Sequence, residues 1–186
     1  MFKSRLSWVV VGSVAALSFA LIYGCSGAGS AIGVVKNLGG EKSLIRVSLD
    51  GQEAKQNTLK KAVAGHSNWD IKDPVDSDNP KLSYKILKPE KMGRITATIV
   101  NLFQEFQGDY STQSEFIVTP KDNAPENLMK ENVVYELGKP PAGLRVLDVN
   151  GKDVPAVKLI PGKKYMLSLT IKADHSETLN IHFKTK

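Results

Sequence analysis

The chain has 186 residues, 41% hydrophobic and 24% charged, with a formal net charge of +6 at pH 7. That supports one full domain with a core, or two small ones. The single cysteine excludes an intrachain disulfide, and no basic stretch is interleaved with aromatics as nucleic-acid binding would want. The basic excess sits late, with nine Lys/Arg against four Asp/Glu from Lys139 to Lys186. Spread out as it is, that excess suits a solvated surface first, and acidic polymers or lipid headgroups second.

Lys3 and Arg5 open the chain with positive charge, and Leu6 to Tyr23 carry none. A cationic start before an apolar run is the profile of an export signal. The run ends at Leu21-Ile22-Tyr23-Gly24-Cys25, followed by Ser26. This stretch resembles the lipobox of bacterial lipoproteins, and the resemblance covers residues 1 to about 26. It implies diacylglycerol on the Cys25 thiol, cleavage after residue 24, and an acylated amino group. Ser26, where Asp would signal inner-membrane retention, implies the outer membrane if the envelope is Gram-negative. Two chains would anchor stably where one does so only marginally. A competing reading is an uncleaved span, because 18 uncharged residues sit near the lower limit for crossing a bilayer. Ordinary secretion lacks a clear Ala-x-Ala site.

Residues 25–30 then form a lipidated tether of small residues, and 31–186 the folded domain. Ala31–Asn37 and Ser43–Leu49 are strand-like. In the second, Ile45, Val47 and Leu49 alternate with Arg46 and Ser48. Asp50-Gly51 predicts a hairpin turn. Gln52–Ala64 fits a helix ending at Gly65 or the returning strand, with the hairpin preferred. His66–Pro80 is polar and holds Trp69, Asp70, Asp73, Asp76 and Asp78. It is also where the domain could divide into two small β modules, near 66–81. Leu82–Lys88 alternates and is broken by Pro89. Arg94–Val100 sets Ile95, Ala97 and Ile99 against Thr96 and Thr98, with Phe103 and Phe106 extending it through a bulge. Glu115–Thr119 stops at Pro120. Asn123-Ala124-Pro125-Glu126 reads as a capping-box variant opening one or two helical turns through Lys130.

Asn132–Leu137, Leu144–Val149, Val154–Ile160, Tyr165–Lys172 and Thr178–Lys184 are all strand-like. Asn150-Gly151 suggests a type I′ hairpin and Pro161-Gly162 a type II turn. Pro155 places its strand at an edge or bulge. Tyr165, Leu167, Leu169 and Ile171 share one face, as do Leu179, Ile181 and Phe183. One-faced strands at short spacing predict an all-β chain, an antiparallel β-sandwich that is immunoglobulin-like in general form. The Cys–Trp–Cys core of antibody domains is absent.

No Gly-x-Ser-x-Gly and no glycine-rich phosphate loop is present. His66, His175 and His182 have no metal-site spacing, and no carboxylate pair is singled out. Asp70, Asp73, Asp76 and Asp78 are weak calcium candidates, because an EF-hand register starting at Asp76 fails at Pro80, Lys81 and Leu87. Trp69 could be an exposed contact for a sugar or a partner, or could tuck over the end of a core. The expectation is a non-catalytic envelope lipoprotein, without cofactor, held in the membrane through lipid on Cys25. It would bind or scaffold an unidentified envelope protein or polymer. The alternative is a carbohydrate- or calcium-binding accessory protein using the 66–80 loop.

Overall fold

Alternation of apolar and polar side chains runs through nearly every strand, so each strand has one face that water disfavours. The structure, a computed structural model, describes residues 43–57, 68–122 and 124–186. The signal segment, Cys25, the tether, the expected strand Ala31–Asn37, His66 and Asn123 lie outside the described residues. Among the described residues no helix is long and apolar enough to cross a membrane.

The strands are β1 (Ile45–Leu49), β2 (Gln52–Glu53), β3 (Lys55–Gln56), β4 (Asn68–Asp70), β5 (Lys81–Ile86), β6 (Ala97–Phe106) and β7 (Asp109–Tyr110). After them come β8 (Phe116–Pro120), β9 (Tyr135–Glu136), β10 (Leu144–Asp148), β11 (Asp153–Val154), β12 (Lys164–Lys172) and β13 (Glu177–Lys184). One short helix, α1 (Pro89–Met92), follows β5. The smaller sheet has four strands in the order β2-β1-β5-β9. The larger has nine, in the order β11-β10-β8-β6-β12-β13-β4-β3, with β7 added beside β6. Every pairing between these strands is antiparallel except β13 with β4. The fold is therefore all-β, with two antiparallel-dominated sheets facing each other across one core.

The core faces are the expected ones. Tyr165, Leu167, Leu169 and Ile171 of β12 are fully buried, and Leu179, Ile181 and Phe183 of β13 lie beside them. Ile45, Val47 and Leu49 of β1, with Leu82, Tyr84 and Ile86 of β5, close the core from the smaller sheet. The described residues all belong to one compact unit spanning Lys42–Lys186.

Asp50 and Gly51 both have positive φ, 48° and 76°, the type I′ geometry whose twist suits a two-residue hairpin. Leu49 pairs with Gln52 across it, as expected for the hairpin. Pro161-Gly162 forms the type II turn, with Gly162 at φ 73° and the Lys163 amide donating to the Ile160 carbonyl at 3.4 Å.

Several local expectations are corrected. Asn150 does not have positive φ; only Gly151 does. The β10–β11 loop is a three-residue turn, closed by Gly151 N–H to the Asp148 carbonyl at 2.9 Å and pinned by Asp148 Oδ1 accepting from Asn150 and Lys152. β6 has no bulge; its register against β12 is unbroken from Ala97 to Gln104. Its core face is Thr98, Val100, Leu102 and Gln104, while Ile99 is half-buried on the other side. Thr98 is tolerated inside because its hydroxyl accepts the Met129 amide at 3.0 Å.

Of Val154–Ile160 only Val154 is in a strand, as the second residue of β11. Beyond Pro155 the Val157 amide bonds the Leu137 carbonyl and the Leu159 amide that of Ser77, both at 2.9 Å. Two apolar side chains thus plug the core from a segment that belongs to no sheet. Asn132–Leu137 yields only β9, since Asn132 turns at φ 60° and leaves Val133 and Val134 exposed. The helical turn after Pro120 is a single 3-10 turn, Pro125–Asn127. It is tied by Asp122, whose Oδ1 accepts from the Ala124 amide and the Asn127 side chain.

Glu115 lies at the open end of this core. Burial raises its pKa from the usual 4.5, and a hydrogen bond from Tyr165 offsets only part of that. Its Oε2 is buried with no hydrogen-bond partner. A raised folded pKa means that Glu115 favours folding below its unfolded value and opposes it as pH rises through the folded one. Urea midpoints of wild type and Glu115→Gln should therefore converge near the unfolded pKa and separate toward neutral pH, with the glutamine variant the more stable. Equal midpoints across the range would show that Glu115 does not carry this linkage.

Candidate functional site

Strand periodicity puts a second set of side chains on the outward face of the larger sheet. The register places Phe103, Met166, His182, Asp70 and Lys55 in one row across β6, β12, β13, β4 and β3. One row over stand Asn101, Ser168 and Asn180, of which Ser168 and Asn180 are buried. The face is thus polar, yet partly withdrawn from solvent.

The β6–β7 hairpin folds back over this row. Its turn residues, Gln107 and Gly108, both have positive φ, 53° and 88°. The reversal brings Tyr110 opposite Glu105 and onto His182. The Tyr110 hydroxyl and His182 Nδ1 share a hydrogen bond of 2.7 Å, and the rings lie 5.1 Å apart, tilted by 48°. Asp70, beside His182 in the register, accepts a hydrogen bond from the Asn57 side chain. Glu105 pairs with Lys164 at 3.3 Å.

Burial, then the negative charge of Glu105 and Asp70, pushes the Tyr110 phenol well above its ordinary pKa of 10. The hydroxyl therefore stays protonated at physiological pH, a hydrogen-bond donor and acceptor rather than a nucleophile. It can donate to a neutral His182 and accept from a protonated one, so the contact survives a change in the imidazole's charge. The cluster offers amide, carboxylate, imidazole, phenol and ammonium groups within one strip, chemistry suited to holding a polar ligand.

The residues singled out from sequence are placed differently. Trp69 was expected in a loop but lies in β4, between Ile181 and Gln56 in register. It is half-buried and packs against the core, which is the reading in which it tucks against the core's end. The strand was hidden because its three residues are flanked by polar ones and its partner β13 lies over a hundred positions away.

The four aspartates are dispersed. Asp70 joins the outward strip. The Asp73 amide donates to Gln52 Oε1 at 2.9 Å. Asp76 Oδ1 accepts from the amides of Asp78 and Asn79 at 2.9 and 3.0 Å, which holds its pKa below the carboxylate norm. Among the described residues no three His, Cys, Asp or Glu converge as a metal set. Asp50, which sequence reasoning treated only as a turn residue, stitches this loop down: its carboxylate accepts from the Asp76 amide at 2.6 Å and the Lys81 amide at 2.9 Å. His175 sits in the β12–β13 turn, its amide bonded to the Met92 carbonyl.

Tyr110, Glu105 and Asn57 were missed. The signals that could have found Tyr110 are Gly108 after an alternating strand, a hairpin cue, and the outward phase of His182 on β13. Elsewhere, a groove of about 580 Å³ runs along the β10–β11 edge, lined in part by Lys121, Pro140, Pro141, Arg145 and Pro155. Comparison with protein families, with characterised proteins and with solved structures finds no match for this chain.

Two measurements check this geometry. A double-mutant cycle of Tyr110→Phe with His182→Ala should return a coupling of about 1 kcal/mol in urea denaturation, whereas additive losses would mean that the pair does not interact. Asp50→Asn, which keeps a residue tolerant of positive φ, should cost about 1–3 kcal/mol because charge-assisted bonds to two backbone amides are weakened.

Proposed function

We propose that this chain is a lipid-anchored protein of the bacterial envelope whose β-sandwich binds or scaffolds another envelope component without catalysing a reaction. The observation that carries the reading is Leu21-Ile22-Tyr23-Gly24-Cys25 at the end of an uncharged run behind Lys3 and Arg5. The outward strip around Tyr110 and His182 supports the binding half. It presents ring faces, donors and acceptors on regular strands, which hold a recognition surface more rigidly than loops do. A phenol kept protonated favours recognition over covalent chemistry.

The deciding experiment is intact mass and membrane partition of wild type against Cys25→Ala in a bacterial host. Wild type should carry acyl mass and sediment with membrane, and the substitution should lose both. If both proteins stay membrane-bound at full-length mass, residues 6–23 span the bilayer and the lipid anchor is wrong. Crosslinking in intact cells from Met166, in the centre of the strip, should capture a neighbour that crosslinking from the smaller sheet's Lys85 does not.

A further inference from the structure

The two ends of the sandwich differ in charge, and the basic end is the one that holds Ser43, the first described residue. Leu44 is fastened there by the Glu177 carboxylate, which accepts the Leu44 amide at 2.9 Å, and by its own carbonyl, which accepts the Leu87 amide at 2.7 Å. Ser43 and Leu44 therefore sit directly against the start of the segment from Leu87 to Arg94.

That segment is basic and exposed. Lys85, Lys88, Lys91, Arg94 and Lys172 all project into solvent at this end. Among the described residues the exposed carboxylates near it are Glu90, Asp174 and Glu53, and Asp174 Oδ2 is engaged by the Arg94 amide at 3.0 Å. Glu177 is turned inward onto Ser43 and Leu44. Lys85 also stands directly opposite Arg46 across β1 and β5. Like charges in that position work against the sheet, although Glu53 relieves Arg46 at 3.3 Å. Leu87, 39% exposed, lies among these cations. The opposite end carries Asp50, Asp73, Asp76 and Asp78 interleaved with lysines such as Lys81 and Lys186.

We infer that this basic end, Lys85 to Arg94 with Lys172, docks on the anionic headgroups of the membrane that holds the chain. The inference rests on the lipid-anchor reading for its choice of partner. Eighteen positions separate Cys25 from Ser43, a reach of at most about 60 Å even fully extended. Ser43 lies at this end, so docking this end is the orientation that asks the least span between Cys25 and Ser43. A basic patch beside an acyl anchor supplies the second signal that makes attachment firm, and its attraction acts only within a Debye length of the surface.

The test is amide hydrogen exchange on the full-length chain isolated from a bacterial host. It is placed on vesicles of phosphatidylcholine alone or of phosphatidylcholine with phosphatidylglycerol, with intact mass recorded on the same sample. Amides of residues 87–94 should exchange about tenfold more slowly on the anionic vesicles, and this protection should vanish in high salt or in the Lys88→Glu/Lys91→Glu/Arg94→Glu variant. Equal exchange on both vesicles, with acyl mass present, would overturn the docking surface and leave the anchor standing. Anionic-specific protection in a chain without acyl mass would uphold the docking surface and remove the anchor. All three substituted side chains are exposed, and the wild-type comparison decides the matter without the variant.

Discussion

The structure depends on a mismatch between its two sheets. Among the described residues nine strands on one side face four on the other, and the four do not cover the inner face of β6, β12 and β13 by themselves. Apolar side chains from irregular segments complete the cover: Val75, Met129, Val157 and Leu159 are all buried in the same core. Irregular backbone brings amides that no ladder satisfies, and a buried amide without a partner costs as much as a lost hydrogen bond. Scattered side-chain acceptors meet that demand. Asp50 takes the Asp76 and Lys81 amides, Thr98 takes Met129, Glu131 takes Ile86, and Glu177 takes Leu44.

The same demand accounts for Asp76 in the acidic loop between β4 and β5. A run of aspartates suggests a cation site when it is read as a string of ligands. In the fold, Asp76 holds its own turn while Asp50 holds the loop's backbone to the β1–β2 hairpin. Two of these carboxylates, Asp50 and Asp76, are thus engaged by backbone amides.

On that face the decisive feature is the β6–β7 reversal. It lays Tyr110 over His182 and half-shields a row of polar groups that would otherwise be fully hydrated. Partial desolvation strengthens each hydrogen bond in the strip. The Glu105 and Asp70 carboxylates also help to keep the phenol neutral. A surface of this kind is rigid in its backbone and rich in donors and acceptors, chemistry suited to holding a polar ligand.

Much of this was legible from the chain alone. Alternation in β1, β5, β12 and β13 named the buried face correctly, because a period of two has only two phases and the apolar one goes inward. Asp50-Gly51 and Pro161-Gly162 announced their turns through the positive φ that each requires. Alternation failed at Val154–Ile160, where Val157 and Leu159 are buried singly by a segment that follows Pro155 and pairs with no strand. It misled at β6, where Thr98 and Gln104 take core positions, Thr98 because its hydroxyl accepts the Met129 amide. The outward strip was nearly invisible, since Asn57, Asp70, Glu105, Tyr110 and His182 come from four separate strands and a strand end. By itself the sequence determined the all-β class and most of the inward faces, since these depend on turn chemistry and period. Only the tertiary structure decided strand order, the placement of Trp69 and the assembly of the strip. Those follow from pairings between distant segments, and no local pattern encodes which strand a given strand will meet.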